Sequence, residues 1–253
     1  MSHPRGLYDR RSGCPSDQAD GGLLLYHYGF PHAGMSRPFA AYGTRFSTGV
    51  IMIRLGLTGS IAMGKTTAAE LLRQQGVPVH DSDAVVHRLL ASGGEAVAPV
   101  LALFPDADDG EGGINRKILG AQIFHDDDKR HQLEAIIHPL VRHDRESWAD
   151  LMDDEDHPII VYDIPLLFET GAQNYCDYVA VISAPEWLQK TRALERPGMT
   201  NDRLEGILSA QISNTQKRQL ADYVIPSGFG LSVSKWYIAR MVRDILLRGK
   251  TDA

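Results

Sequence analysis

The sequence contains little cysteine. Only two of its 253 residues are cysteines, Cys14 and Cys176, and they lie far apart and match no metal-ligand spacing. A disulfide framework in a chain of this size would need more of them, so a disulfide-rich secreted protein is excluded. The low cysteine content is typical of a reducing compartment, and we expect a cytoplasmic location.

Long hydrophobic runs are missing as well. No apolar stretch approaches the roughly 20 residues needed to cross a bilayer, although 43% of the residues are hydrophobic. The net charge of −6 argues against general binding to nucleic acid or to anionic membranes. We therefore expect neither as a partner, and we expect a monomer or weak homo-oligomer. The chain is long enough for one α/β core with smaller inserted subdomains.

The first 51 residues have no sustained period of 2 or 3.6 residues. They are rich in Gly, Pro, Ser and Arg, and their apolar runs are too short for a signal peptide. We predict that residues 1–51 form a disordered extension and that residues 52–253 form the folded protein. Because the first predicted strand begins directly after Met52, we hypothesise that Met52 is the native start. Intact-mass analysis of the native protein tests this hypothesis.

Residues 59–66 have the sequence GSIAMGKT, which matches the phosphate-binding pattern G-x-x-x-x-G-K-[ST]. A predicted strand precedes this loop, and a predicted helix that ends at Gly76 follows it. Backbone N–H groups of such a loop point at phosphate oxygens, and the helix N-terminus adds partial positive charge. We predict that Lys65 reaches the β and γ phosphates and that the Thr66 hydroxyl ligates Mg²⁺. The predicted nucleotide-binding residues are Gly59, Ser60, Ile61, Ala62, Met63, Gly64, Lys65, Thr66 and Thr67.

Two acidic residues follow the second predicted strand, Val77 to His80. The carboxyl ends of parallel strands share one edge of a sheet, so Asp81 and Asp83 should face the same crevice as the phosphate-binding loop. A carboxylate there can orient an acceptor hydroxyl and take its proton, and we assign this catalytic role to Asp83. The alternative is that the acids cap the next helix, and we expect one of them to do so.

The guanine-specific pattern N-K-x-D is absent, which counts against a GTPase and favours ATP. No internal repeat or long coupling domain indicates a motor. The class that remains is a kinase of small metabolites.

Several further strings narrow this class. They are GLTGSIAMGKTT at 56–67, DSD at 81–83, IIHPLV at 136–141, DIPLLFE at 163–169, RALERPGMTNDRLEGILSAQ at 192–211 and ADYVI at 221–225. From Met52 onward the chain resembles the dephospho-coenzyme A kinase family. The resemblance implies transfer of the γ-phosphoryl group of ATP to the ribose 3′-hydroxyl of dephospho-CoA, with Mg²⁺.

The resemblance also implies a fold. It is an α/β P-loop kinase fold of three layers, with a parallel central sheet, an inserted helical CoA-binding subdomain and a helical lid. We expect the core at 52–83, 155–185 and 215–253, the helical substrate subdomain at 84–154 and the lid at 186–214.

Three more residues are candidates for the site. Asp163 ends a predicted buried strand, where a Walker B carboxylate would hold the Mg²⁺ shell through water; the alternative is an acid that caps the next segment. Arg192 and Arg196 stand four residues apart on one helical face of the expected lid, which suits joint contact with phosphates when the lid closes. We count this pair of arginines as catalytic, together with Lys65 and Asp83. The alternative is that the two arginines belong to a solvent-exposed helix face without a role in the site.

Two segments depart from the family's pattern. Pro197 and Gly198 stand where the family commonly has Arg-Asp-Gly-like residues, which leaves the geometry of the lid open. The string VIPSG at 224–228 stands where the family often has Asp-Asn before its Gly, so contacts with the adenine base cannot be carried over.

Two segments show the period of a helix. The first has a stripe of Leu133, Ile136, Ile137, Leu140 and Val141. Pro139 should begin a new helix or kink this one, and His138 beside it is a substrate contact only by resemblance. The last predicted helix should pack on the core through Trp236, Ala239, Val242, Ile245 and Leu246.

Other functions stay open at this point. Shikimate kinase also places a strand-end Asp-x-Asp at its acceptor, but it usually carries a Gly-Gly-Gly loop that this sequence lacks. A nucleoside monophosphate kinase fits the spacing after the phosphate-binding loop less well. An ATP-binding regulatory module would bind nucleotide without releasing ADP, and the set of Lys65, Thr66 and Asp83 argues against it.

Overall fold

A computed structural model describes residues 52–124 and 126–249, and the expectations for residues 1–51 lie outside the described residues. Its centre is a five-stranded sheet of order β2-β3-β1-β4-β5 in which all paired strands are parallel. The predicted α/β class with a parallel central sheet is confirmed. The strands are β1 (Ile53–Thr58), β2 (Val79–Asp81), β3 (Ile159–Asp163), β4 (Tyr178–Ser183) and β5 (Tyr223–Pro226).

Helices follow most of the strands, as crossover connections in a parallel sheet require. They are α1 (Lys65–Arg73), α2 (Ser82–Leu90), α3 (Val97–Leu103), α4 (Arg116–Ile123), α5 (Asp127–Asp154), α6 (Glu186–Leu194), α7 (Asn201–Ser209), α8 (Asn214–Leu220) and α9 (Leu231–Gly249). None of the helices within the described ranges is both long and apolar enough to span a membrane.

The sheet is covered on both faces, which explains why its strands are continuous apolar runs. On one face, Leu55 and Leu57 of β1 share a core with residues of α1 and α9. On the other face, Ile160 and Tyr162 of β3 pack with Met152 near the end of α5. The three-layer arrangement places every strand's carboxyl end at one edge.

Between β2 and β3 the chain forms a separate cluster of buried side chains from α2, α3, α4 and the first half of α5. The predicted α5 stripe is buried or half-buried in this cluster. No new helix begins at Pro139, because α5 runs through it as one helix of 28 residues. This helix reaches from the helical cluster to the sheet and is held by packing at both ends, which compensates the hydrogen bond that proline cannot donate.

A polar contact fixes α5 against the edge of the sheet. The Oδ1 atom of Asp144, in the middle of α5, lies 2.8 Å from Nε2 of His80 on β2, and its Oδ2 accepts a 2.7 Å bond from Arg88 of α2. Burial lowers the pKa of His80. One carboxylate therefore ties α5 to β2, which ends just before Asp83, and to α2, which contains Asp83.

The expected core face of α9 is partly wrong. Trp236 is 55% exposed, and Ala239 is exposed as well. The residues that pack on the sheet are Ile238, Met241 and Ile245, with Val242 and Leu246 at the margin. The helical period was correct, but the buried stripe runs through Ser234, Ile238, Met241 and Ile245, so Ile238 and Met241 lie one position before the predicted Ala239 and Val242.

Candidate active site

One crevice of about 840 Å³ opens at the carboxyl edge of the sheet. The loops after β1 and β5, the carboxyl ends of β2, β3 and β4, the helices α1 and α2, and residues of α6, α7 and the turn between them surround it. Every site residue predicted from the sequence lines this crevice. They are Gly59, Ser60, Ile61, Ala62, Met63, Gly64, Lys65, Thr66, Thr67, Asp83, Asp163, Arg192 and Arg196.

The phosphate-binding loop needs an unusual backbone. Gly64 has φ of 91°, in the left-handed region that favours glycine, and it directly precedes α1. Ala62 has φ of 60°, which a residue with a side chain rarely adopts. A methyl group at Gly59 would lie 2.9 Å from the carbonyl oxygen of Ile182. The two glycines of the pattern are therefore required by backbone geometry and by close packing on β4.

Side chains from distant parts of the chain hold this loop. Gln189 of α6 donates a 2.9 Å bond to the carbonyl of Ile61, and the Ser227 hydroxyl donates a 2.6 Å bond to the carbonyl of Met63. Both side chains come from segments after β4, so the loop is tied to the other half of the molecule. These bonds fix the orientation of the loop's peptide groups before any ligand binds.

Lys65 begins α1, and its ammonium lies 2.6 Å from Oδ1 of Asp163, the last residue of β3. Burial raises the pKa of Asp163, and the charge of Lys65 opposes that rise. Thr66, the next residue on α1, is exposed to the crevice. The loop lysine, a hydroxyl and a buried carboxylate thus meet where a phosphate chain would lie.

The two acids after β2 have different surroundings. Asp81 is the N-cap of α2, and its Oδ1 accepts a 3.0 Å bond from the backbone N–H of Ala84. Asp83 lies in the first turn of the same helix and lines the crevice. The expectation that one of the two acids caps the helix is confirmed, and the capping acid is Asp81.

The carboxyl group of Asp83 is unusually basic. Its pKa is raised to about 6, mainly by burial and also by the charges of Asp81 and Asp163, while the charge of Lys65 opposes the rise. A carboxylate with a pKa near the working pH is a more effective proton acceptor than one of ordinary acidity. Asp83 therefore combines a position facing the phosphate-binding loop with a basicity suited to taking a proton from a hydroxyl.

The arginines lie on the opposite wall. Arg192 is in the last turn of α6, and its guanidinium donates a 3.0 Å bond to the carbonyl oxygen of Ser227. The helix ends at Leu194, so Arg196 lies in the following turn rather than on the same helical face, which corrects the sequence-based placement. Both side chains still line one crevice.

Pro197 and Gly198, which differ from the family's usual residues, lie in the turn after α6. Gly198 has φ of 72°, a left-handed conformation that glycine adopts readily. Arg203 of α7 donates a 3.2 Å bond to the Gly198 carbonyl and also lines the crevice. The pair thus forms a tight turn that brings a third arginine to this wall.

Several site residues were missed because no motif marks them. Gln189 is buried on the same face of α6 as Ala193. A polar residue on the buried face of a helix was therefore the sequence signal that could have identified it. His87 also lines the crevice, but nothing in its local sequence distinguishes it from an ordinary helix residue. Ser227 lines it too and lies in the string VIPSG, from which no specific contact could be carried over. His138, considered as a substrate contact, is exposed on α5 and is not among the residues of the crevice wall.

Sequence comparison identifies relatives over most of the chain. The family model described as dephospho-CoA kinase matches residues 53–230. The Dephospho-CoA kinase of Paramagnetospirillum magneticum is 53% identical over 164 residues, which is 65% of this chain and 77% of that protein. The Dephospho-CoA kinase of Zymomonas mobilis is 47% identical over 194 residues, covering 77% of this chain and 95% of that protein.

Two solved structures share the fold of this chain. TT1252 from Thermus thermophilus superposes with a TM-score of 0.68 at 30% identity, over 76% of this chain and 97% of that one. Dephospho-CoA kinase from Campylobacter jejuni superposes with a TM-score of 0.55 at 24% identity, over 77% of this chain and 97% of that one, and supports the fold. The resemblance inferred from the sequence strings is confirmed, and the chain belongs to the dephospho-CoA kinase family.

Proposed function

We propose that this protein transfers the γ-phosphoryl group of ATP to the ribose 3′-hydroxyl of dephospho-CoA, giving coenzyme A and ADP. The observation that carries the proposal is the placement of Asp83 in the same crevice as Lys65 and the phosphate-binding loop, in a chain of this family. A phosphoryl donor and a hydroxyl acceptor could meet between these two side chains. The shikimate kinase alternative is not favoured by the family match.

The nucleotide would bind along residues 59–67. The loop's backbone N–H groups and the N-terminus of α1 would hold the β and γ phosphates. Lys65, now paired with Asp163, would contact the γ-phosphate and stabilise the negative charge that spreads over it during transfer. Arg192 and Arg196 would add positive charge from the other wall.

Asp83 would act as the base. Its carboxylate would accept a hydrogen bond from the 3′-hydroxyl and take the proton as the ribose oxygen forms its bond to the γ-phosphorus. The bond between that phosphorus and the β,γ-bridging oxygen breaks in the same displacement, and ADP leaves with its electron pair. The raised pKa of Asp83 makes the protonated form of this carboxyl accessible after transfer.

The residues present fit a Mg²⁺ ion that arrives with ATP. Among the described residues, no group of three His, Cys, Asp or Glu side chains could bind a metal by itself. Mg²⁺ in kinases needs little more than one or two protein oxygens, because phosphates and waters supply the rest. The Thr66 hydroxyl and, through water, the Asp163 carboxylate would be those oxygens. The ion would neutralise phosphate charge and orient the transferring group.

Two parts of the chain would move or adapt around this site. Residues 186–214, which include α6 and α7, would act as a lid that closes on the phosphates and excludes water. Residues 84–154 would hold the acceptor. The remaining segments, 52–83, 155–185 and 215–253, would form the core. We also propose a cytoplasmic location and a monomeric or weakly homo-oligomeric state.

The test is acceptor-dependent release of ADP by the full chain with ATP and Mg²⁺. Dephospho-CoA, shikimate and AMP are offered in parallel, and the product is weighed by mass spectrometry. We expect release only with dephospho-CoA, with a product one phosphoryl group heavier. Release with shikimate or AMP instead would overturn the proposed acceptor, and nucleotide binding without release with any of them would favour a regulatory module.

A further inference from the structure

His87, which lies on the crevice wall near Asp83, forms a polar pair with Arg116. His87 follows Asp83 by four residues on α2, so both side chains lie on one face of the helix about one turn, roughly 5.4 Å, apart. Both line the crevice. Nη1 of Arg116, at the first position of α4, lies 2.5 Å from Nε2 of His87.

The chemistry of this contact is determined by the arginine. A guanidinium has only N–H donors and stays charged in proteins, so Nε2 of His87 must be the acceptor. His87 is therefore unprotonated at Nε2, and the positive charge of the pair belongs to Arg116. The pair therefore holds a guanidinium in contact with His87, a residue of the crevice wall one helical turn from Asp83.

Arg116 is fixed in place by the loop that precedes it. The backbone N–H of Ile114 donates a 2.9 Å bond to the carbonyl of Leu90 at the end of α2, and Asn115 donates a 2.7 Å backbone bond to Ala107. The Asn115 side chain caps α4 by accepting a bond from Ile118. The start of α4 is thus bonded directly to the helix that carries Asp83 and His87, which sets the distance between the guanidinium and the acid.

The substrate requires a cation in this region. The 3′-hydroxyl of dephospho-CoA is carried by C3′ of the ribose, and the neighbouring ring carbon C4′ carries the C5′ methylene, whose oxygen bears the 5′-diphosphate. A hydroxyl placed at Asp83 therefore brings the diphosphate within a few bonds of the same helix. Asp81, Asp83 and Asp163 would repel it, and Lys65 lies at the site assigned to ATP, whereas an arginine matches the geometry of phosphate oxygens.

We propose that Arg116, oriented by His87, binds the 5′-diphosphate of the acceptor and so selects a diphosphate-bearing nucleoside over a plain nucleoside. This inference rests on the proposed function. The group that competes for the role is Arg73 of α1, which also lines the crevice and whose nearest acidic partner is Glu70 at 3.9 Å.

The experiment compares two acceptors, dephospho-CoA and adenosine, which keeps the ribose 3′-hydroxyl but lacks the diphosphate. Arg116→Gln should raise KM for dephospho-CoA by about tenfold or more, because a charge-assisted contact is lost. The values of kcat/KM for adenosine and KM for ATP should change little. Arg116→Lys should lie between, since it keeps the charge but not the planar fork. Lys117→Gln, an exposed neighbour on α4, makes the same charge change as the matched control.

A purely structural role for Arg116 would impair both acceptors alike, and that result would overturn the assignment. An unchanged KM for dephospho-CoA would do so too, as would a selective loss in Arg73→Gln instead. Calorimetric binding of dephospho-CoA beside a non-hydrolysable ATP analogue separates this inference from the proposed function. If the wild type binds dephospho-CoA but transfers no phosphate, the proposed function fails, and the weaker binding expected of Arg116→Gln still decides the role of the diphosphate.

Discussion

The two sides of the crevice are built in different ways. The side that we assign to the nucleotide is one continuous stretch, residues 59–67, whose shape is set by the backbone conformation at Ala62 and Gly64. The side that we assign to the acceptor is assembled from side chains on separate elements, because Asp83 and His87 of α2 line it and Arg116 of α4 contacts His87. A site formed by the backbone of one segment can be predicted from a short motif. A site formed by side chains from several elements cannot, because it depends on how the helices pack.

The difference extends to how each side is supported. Gln189 and Ser227 hold the carbonyl groups of the nucleotide loop, so its shape depends on neutral hydrogen bonds. The helices of the acceptor side are held by a charged side chain, because the Asp144 carboxylate of α5 contacts Arg88 of α2 and His80 of β2. Substitutions on the two sides should therefore differ in both size and kinetic signature.

The largest expected effect is on the acceptor side. Asp83→Asn should lower kcat by roughly 10²- to 10⁴-fold, because it removes the base but leaves a side chain of the same size. Affinity for ATP should change by less than about threefold, since no contact with the nucleotide loop is lost. Steady-state kinetics with dephospho-CoA, together with calorimetric ATP binding, measure both quantities.

Asp81→Asn is the matched comparison. Asparagine caps helices as well as aspartate does, so α2 should keep its start and kcat should fall by far less than in Asp83→Asn. Equal losses in the two variants would mean that the pair acts as a unit and that Asp83 is not the base by itself.

The next effect concerns α8, which lies between α7 and β5. Lys217 of α8 is fully buried, and its ammonium lies 2.8 Å from Oε1 of Glu169, which also accepts a 3.1 Å bond from the backbone of Ile212. Lys217→Met would leave the buried Glu169 without its counter-charge. The free energy of unfolding should fall by about 3–5 kcal/mol, measured by urea denaturation.

Adding Glu169→Gln to Lys217→Met should restore much of that stability. The glutamine carbonyl can still accept the bond from Ile212, and no charge then stays buried without a partner. If the double variant is no more stable than Lys217→Met, the loss comes from packing rather than from the unpaired charge.

These cases show what the sequence can and cannot predict. The thirteen candidate residues were found because they belong to strings or strand ends, whose position in a parallel sheet is fixed by topology. Arg196 was assigned to the wrong local structure, since periodicity does not reveal that α6 ends at Leu194. The contacts of Arg116 with His87 and of Lys217 with Glu169 span 29 and 48 residues, and no local pattern encodes them.

A smaller effect is expected in the pH dependence of kcat/KM for dephospho-CoA, which should follow the ionisation of Asp83 on the acceptor side. The pKa of Asp83 is raised to about 6 by burial, so its carboxyl binds a proton and stops acting as a base as the pH falls through that value. The kcat/KM for dephospho-CoA should therefore fall by up to about tenfold per unit below pH 6 and level off above it. The residual activity of Asp83→Asn should lack this decline, and any pH dependence that it keeps belongs to ATP or to other groups.

The smallest effect is expected on the nucleotide side. Ser227→Ala removes the 2.6 Å bond to the Met63 carbonyl and one of the two contacts of Arg192 with residue 227, while the contact with the backbone carbonyl stays. A single neutral hydrogen bond contributes about 0.5–1.5 kcal/mol, so KM for ATP should rise by about twofold to tenfold with KM for dephospho-CoA nearly constant. Ser232→Ala, on the exposed first turn of α9, is the control. A change in KM for the acceptor of the same size would contradict the separation of the two sides, because it would mean that the loop's support also shapes the acceptor wall.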